Sequence, residues 1–195
     1  MSKKYICKFE SKYFINEEDL LYKNSCNFNN RMNNEPYKKF YDKHLFRYSL
    51  TCKIKDVGKS ITVILMNPSY ADEYGLDSTL CNVREFLIKN TDYSAFEVLN
   101  IFPIRTPNSK DVSNLMQKYQ KIQTKNNDYV KSILTKSQDI LVAWGGKYHN
   151  KTMWILDLLK NKNVYAYGIN KDGSPRHFAP QAYNRANKKW QKYKF

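Results

Sequence analysis

Four polar clusters carry the side chains of this chain best suited to chemistry. The first is Asn67-Pro68-Ser69-Tyr70-Ala71-Asp72 with Asp77-Ser78-Thr79 close behind, and the second runs Asn100-Ile101-Phe102-Pro103-Ile104-Arg105-Thr106. The third is Trp144-Gly145-Gly146-Lys147 and the fourth Gly173-Ser174-Pro175-Arg176-His177-Phe178. Asn67 can position a water molecule but cannot take its proton, a task open to Asp72 or Asp77. Arg105, Arg176 and His177 can act as electrophilic partners of a base or a phosphate. Such a set could hold a water molecule in place, take its proton and stabilise charge as it develops on a bound group.

Each residue also has a plainer reading. Asn67-Pro68-Ser69 can be a strand-ending turn, Asp72 a loop residue and Asp77 a helix cap. Asn100 can be structural at a strand end, Arg105 can meet a surface carboxylate, and Trp144 can be core or pocket wall. Asp72 and Asp77 could hold Mg²⁺, but no stronger ligand constellation exists, so no metal and no cofactor are expected. The phosphate-binding motifs of nucleotide-triphosphate motors and Rossmann dehydrogenases are missing.

The clusters gain weight from what precedes them. Ile61–Met66 is a short, β-branched apolar run of the kind buried on both faces of a sheet, and Pro68 ends it. Ala95–Phe102, Ile140–Trp144 and Val164–Gly168 read as further strands, and Arg47–Cys52 alternates as a strand too. Helical spacing marks Thr79–Asn90, a face at Tyr129, Val130, Ile133 and Leu134, and Met153–Leu159, with a short helix around Val112–Lys118. This alternation predicts an α/β fold, a three-layer α/β/α arrangement around a central four-stranded, mainly parallel sheet. In such sheets ligands bind beyond the carboxyl ends of the strands, where all four clusters would converge.

The set M-N-P-S-x-A-D, D-S-T, L-N-I-F-x-x-R-T, A-W-G and G-x-P-R-H resembles an uncharacterised bacterial and phage family, DUF1643, over roughly residues 45–183. The order of these motifs is also distantly similar to the uracil-DNA glycosylase superfamily. That resemblance implies a glycosylase-like fold, with Asn67-Pro68 at the water-activating position and Asn100 matching the asparagine that reads the base edge. It places Trp144-Gly145 at the third strand's end and His177 near the histidine that stabilises charge on the leaving base. Pro68, Ser69, Tyr70, Asp77, Phe102, Arg105 and Arg176 would complete the substrate pocket around the catalytic Asn67, Asp72 and His177.

Composition bears on the partner. The 195 residues hold 33 Lys and Arg against 18 Asp and Glu, a net charge of +15, so a polyanion leads the candidate partners and nucleic acid, DNA above all, leads the polyanions. Arg185–Phe195 is basic and aromatic without an acidic residue, so Arg185, Lys188, Lys189 and Lys192, with Lys147, are candidates for phosphate contact. A tail whose aromatics pack back on the body is the equal alternative. Residues 1–45 lack a sustained period and read as an irregular extension packed on a single α/β domain, residues 46–195. No apolar run is long enough to span a membrane and no signal segment opens the chain, which points to the cytoplasm. Cys7, Cys26, Cys52 and Cys81 lie far apart and are expected to be thiols. The expected function is therefore excision of an unusual or modified base from DNA after base flipping. The alternatives are non-catalytic nucleic-acid binding in the same pocket, or hydrolysis of a free nucleoside or nucleotide.

Overall fold

A computed structural model describes residues 9–14, 46–69, 71, 76–106, 108, 110, 112–147 and 149–195. Tyr70, Asp72, Cys7 and Cys26 lie outside the described residues, as does most of the N-terminal extension. Strands are β1 Phe9–Phe14, β2 Phe46–Lys53, β3 Ser60–Leu65, β4 Ala95–Asn100, β5 Asp139–Val142, β6 Asn163–Ala166 and β7 Gln191–Lys192. Helices are α1 Ser78–Asn90, α2 Val112–Lys118, α3 Gln120–Lys136, α4 Met153–Leu159 and α5 Pro180–Asn184.

The strands form one mixed sheet in the order β1-β2-β4-β3-β5-β6-β7. β4, β3, β5 and β6 pair in parallel, while β2 runs antiparallel to β4 and β7 antiparallel to β6. The expected sheet of four strands is thus corrected to six in the body, because β2 and β7 extend it on either side. β1 adds a seventh at the edge, so Phe9–Phe14 is a strand within the segment read as irregular.

Alternate residues of each strand face opposite sides, and each side has its own core. Ile64, Leu99, Ile140 and Val142 pack with Val130 and Leu134 of α3 and with Ile155 and Leu159 of α4. Val63, Leu65, Val98 and Leu141 pack on the other face with Val83, Phe86 and Leu87 of α1 and Tyr183 of α5. β3 lies at the centre, which is why Ile61–Leu65 is buried on both faces and apolar except at Thr62, whose hydroxyl is hydrogen-bonded to that of Ser137.

Register brings the strand ends together. Leu65 lies opposite Asn100, and Ile64 opposite Val142, so Met66, Asn67, Asn100 and Trp144 all emerge at one edge of the sheet, its carboxyl edge. β2, being antiparallel, begins there: Phe46 bridges Ile104, and the Arg47 N–H donates to the Pro103 carbonyl at 2.9 Å. Among the described residues no helix is long and apolar enough to cross a membrane.

Candidate functional site

A cavity of about 390 Å³ opens at the carboxyl edge. Its wall takes residues from β2 (Arg47), the end of β3 (Met66, Asn67, Pro68, Ser69), β4 (Asn100) and the segment after β5 (Trp144, Gly145, Gly146, Lys147). Asp77 and Thr79 at the start of α1, Thr106, and His177 and Ala179 after β6 close it. The volume is in the range of small-molecule sites.

The loop after β3 is held mainly through its backbone carbonyls. The two N–H bonds of the Asn67 side-chain amide go to the carbonyls of Pro68 at 2.9 Å and Thr106 at 2.8 Å. With its donors committed, Asn67 presents only its Oδ1 acceptor to the cavity. Arg105 is buried beneath the loop, its Nε donating to Ser69 at 3.2 Å and its Nη2 to Ala71 at 3.1 Å. The guanidinium of Arg47, also buried, donates to the same Ala71 carbonyl.

Asn100 forms the floor. It is fully buried, and among the described residues neither its Nδ2 nor its Oδ1 has a hydrogen-bond partner. Leaving a buried polar group unsatisfied costs about 1–3 kcal/mol, so an amide with both ends unpaired on a cavity wall calls for a ligand or water that offers it an acceptor and a donor. Its backbone, by contrast, is pinned: Asn126, fully buried on α3, donates from Nδ2 to the Asn100 carbonyl at 3.0 Å and to that of Ile101 at 3.2 Å. Gln123 adds a bond to the Ile101 carbonyl at 2.8 Å.

His177 is held from several sides. The N–H of Gly145 donates to the Pro175 carbonyl at 2.9 Å, the Tyr167 hydroxyl to that of His177 at 2.7 Å, and the Asn82 amide to that of Phe178 at 2.9 Å. Gly145 has φ of +78°, and a Cβ built there would sit 3.3 Å from that of His177, so both conformation and close approach require glycine. His177 Nδ1 accepts the Ala179 N–H at 3.0 Å, which places the imidazole's proton on Nε2. Burial pushes the His177 pKa below that of an ordinary histidine, and the negative charge of Asp77 partly opposes this. A neutral imidazole with a donor at Nε2 is the resulting species. Burial also pushes the Tyr167 hydroxyl up to about 12, keeping it a donor.

Asp77 is the N-cap of α1, its Oδ1 accepting the Leu80 N–H at 2.9 Å. Asp77 also lines the cavity. The Trp144 indole N–H is taken by His149 Nδ1 at 3.2 Å, so Trp144, 2% exposed, is a wall. Of the residues singled out from sequence, Asn67, Pro68, Ser69, Asp77, Asn100, Trp144, Lys147 and His177 line this cavity. Phe102 lies in the core below, Arg105 behind the loop, and Arg176 packs over Gly168 with its Nε on the Ile169 carbonyl at 3.3 Å. Arg47 was not singled out, and Thr79 and Thr106, members of the first two clusters, were given no role of their own. An arginine inside the alternating run Arg47–Cys52 was the available signal for Arg47.

The C-terminal basic residues Arg185, Lys188, Lys189 and Lys192 are exposed and outside the cavity. Their aromatic neighbours pack on the body: Trp190 stacks on Tyr165 at 4.3 Å, and the buried Tyr193 donates its hydroxyl to Gly173 at 3.0 Å. Lys188 lies over the Tyr183 ring at 4.0 Å and Lys192 over that of Tyr165 at 4.5 Å. Among the described residues no cluster of three His, Cys, Asp or Glu side chains could hold a metal ion.

No curated protein and no solved structure matches the chain. A family model matches residues 47–178, which takes in the cavity from Arg47 to His177 and leaves out the basic C-terminal segment. That match covers more than half of the chain, and the protein belongs to DUF1643, a family of proteins of unknown function.

Proposed function

We propose that the protein is a DNA-acting enzyme of glycosylase type, which flips an unusual or modified base into the cavity and hydrolyses its bond to the sugar. One observation carries this reading: Asn67, Asn100 and His177, from three separate segments, line a single cavity whose floor amide has no partner among the described residues. Helices on both faces of a sheet whose central strands are parallel support the three-layer, uracil-DNA glycosylase-like fold on which the reading draws.

In this scheme the Asn100 amide pairs with the base edge, one donor and one acceptor, and a flipped base satisfies both. Asn67 Oδ1 accepts a hydrogen bond from water and aims its oxygen at the anomeric carbon. A C–O bond forms as the C–N bond breaks, the bonding pair leaves with the base, and the Asp77 carboxylate takes the proton that water loses. The His177 Nε2–H donates to the base as negative charge develops on it. Lys147 at the rim and the exposed Arg185, Lys188, Lys189 and Lys192 meet phosphates.

Non-catalytic binding in the same cavity is the second reading. It is favoured by the commitment of Asn67 Nδ2 to two backbone carbonyls and of Asp77 Oδ1 to the helix cap, both structural duties. Incubation with DNA carrying natural, mismatched and modified bases, followed by mass spectrometry of the products, separates them. A released free base with an abasic site left in the strand is the expected result. Folded protein that binds these DNAs and releases nothing from any of them refutes the enzymatic reading.

A further inference from the structure

Ion pairs gather at the edge of the sheet away from the cavity. Lys53–Asp56 at 3.0 Å, Lys55–Asp92 at 3.7 Å, Lys160–Asp157 at 2.7 Å and Lys89–Glu85 all lie where the parallel strands begin. Lys53 is in register with Ala95, the first residue of β4, and Lys89 and Lys160 close helices that run back toward that edge. Pairs of this kind neutralise one another locally and leave little charge for a partner.

The carboxyl edge is charged differently. Thr106 lines the cavity, its hydroxyl accepts the Asn108 N–H at 3.1 Å, and Asn108 Oδ1 accepts the Lys110 N–H at 3.1 Å, so these bonds link the cavity wall to an exposed lysine. The chain then enters α2 and α3. α3 begins at the carboxyl edge, since Gln123 and Asn126 reach the carbonyls of Ile101 and Asn100, and it ends at the opposite edge, where the Ser137 hydroxyl meets that of Thr62 at 2.7 Å. Lys121 and Lys125, four apart on one helix face, are exposed in its first turns. Neither Lys110 nor Lys121 forms an ion pair among the described residues.

We infer that a nucleic-acid strand with a base in the cavity continues past Thr106 and Asn108 to Lys110 and onto the first turns of α3, where Lys110, Lys121 and Lys125 contact its phosphates. The choice of polyanion rests on the base-binding role proposed for the cavity. α3 packs on the face of the sheet opposite α1 and α5, whereas Arg185–Lys189 follows α5 and is tied to the carboxyl edge by the bond from Lys189 N–H to the Tyr167 carbonyl at 3.2 Å. The strand is therefore held on both sides of the cavity mouth, which steadies the backbone while one nucleotide is turned inward.

The test is binding of a labelled short DNA, single-stranded and duplex, as salt is varied. The exposed triple variant Lys110→Gln/Lys121→Gln/Lys125→Gln is compared with Lys53→Gln/Lys55→Gln/Lys160→Gln, which removes the same charge at the other edge; thermal melts check that both fold. The first weakens binding and flattens the slope of log affinity against log salt by about 2–3, and the second leaves the slope unchanged. Equal effects of the two triples overturn the path, as does an unaltered slope in the first or a preference for anionic lipid vesicles over DNA. Base release by the unsubstituted protein is read on the same DNA. The expected slope change without any released base removes only the glycosylase reading, and released base with an unmoved slope removes only the path.

Discussion

The side-chain amide of Asn126 donates to the backbone carbonyl of Asn100 at 3.0 Å, so a helix on one face of the sheet fixes the strand end that floors the cavity. Asn126 is itself fully buried, and its Oδ1 has no partner among the described residues. Replacing it with alanine removes this donor from the Asn100 carbonyl and leaves the Ile101 carbonyl only its bond from Gln123. Asn126→Ala is expected to lower the unfolding free energy by about 1–3 kcal/mol, read from the urea midpoint at constant slope. Asn126→Asp keeps the shape but removes the donating amide, and it should be no better than alanine. If alanine is neutral, the bond does not hold the floor.

His177 predicts how stability follows pH. Burial depresses its folded pKa below the ordinary 6.5, so the folded state binds fewer protons than the unfolded chain as acid is added. Its contribution is therefore present above the unfolded pKa and is lost as pH falls through the folded one. Protonation would also place a hydrogen on Nδ1, where the Ala179 N–H already points, at 3.0 Å. Thermal melts of the native protein should drop as pH falls below about 6.5, and His177→Gln should show a shallower decline over the same window. Identical profiles would falsify the assignment of His177 as a buried neutral base.

Much of this arrangement is legible in the residues, and where it is not the reason is physical. Ile61–Met66 announces a central strand because both its faces are apolar, and Asp77 announces a helix start because a carboxylate satisfies an orphan N–H. The first half of α3 does not announce itself. Asn126 is buried there to serve backbone carbonyls, so a core position looks polar and blurs the period that is clear at Tyr129–Leu134. β7 has no local signal either; two polar residues become a strand because Trp190 and Tyr193 anchor on the body and lay Gln191–Lys192 beside β6. Arg105 shows the limit for site residues. A guanidinium that braces a loop through Ser69 and Ala71 is indistinguishable in sequence from one that faces a phosphate, and only the fold separates the two.

Asp77 carries a structural and a chemical duty that substitution can separate. Its Oδ1 caps α1 through the Leu80 N–H at 2.9 Å, and its charge raises the pKa of His177 against the effect of burial. Asp77→Ala loses the cap and should cost about 1 kcal/mol of stability, whereas Asp77→Asn keeps an acceptor at the cap and should cost far less. Both remove the charge, so both should lower the His177 pKa further, seen by NMR as a titration midpoint of its ring protons at lower pH. If Asp77 takes the proton from the attacking water, Asp77→Asn should also lose base release while holding DNA as tightly as the native protein. An asparagine variant that retains full activity would assign the residue to the cap alone and leave Asp72, the other carboxylate singled out from sequence, as the proton acceptor.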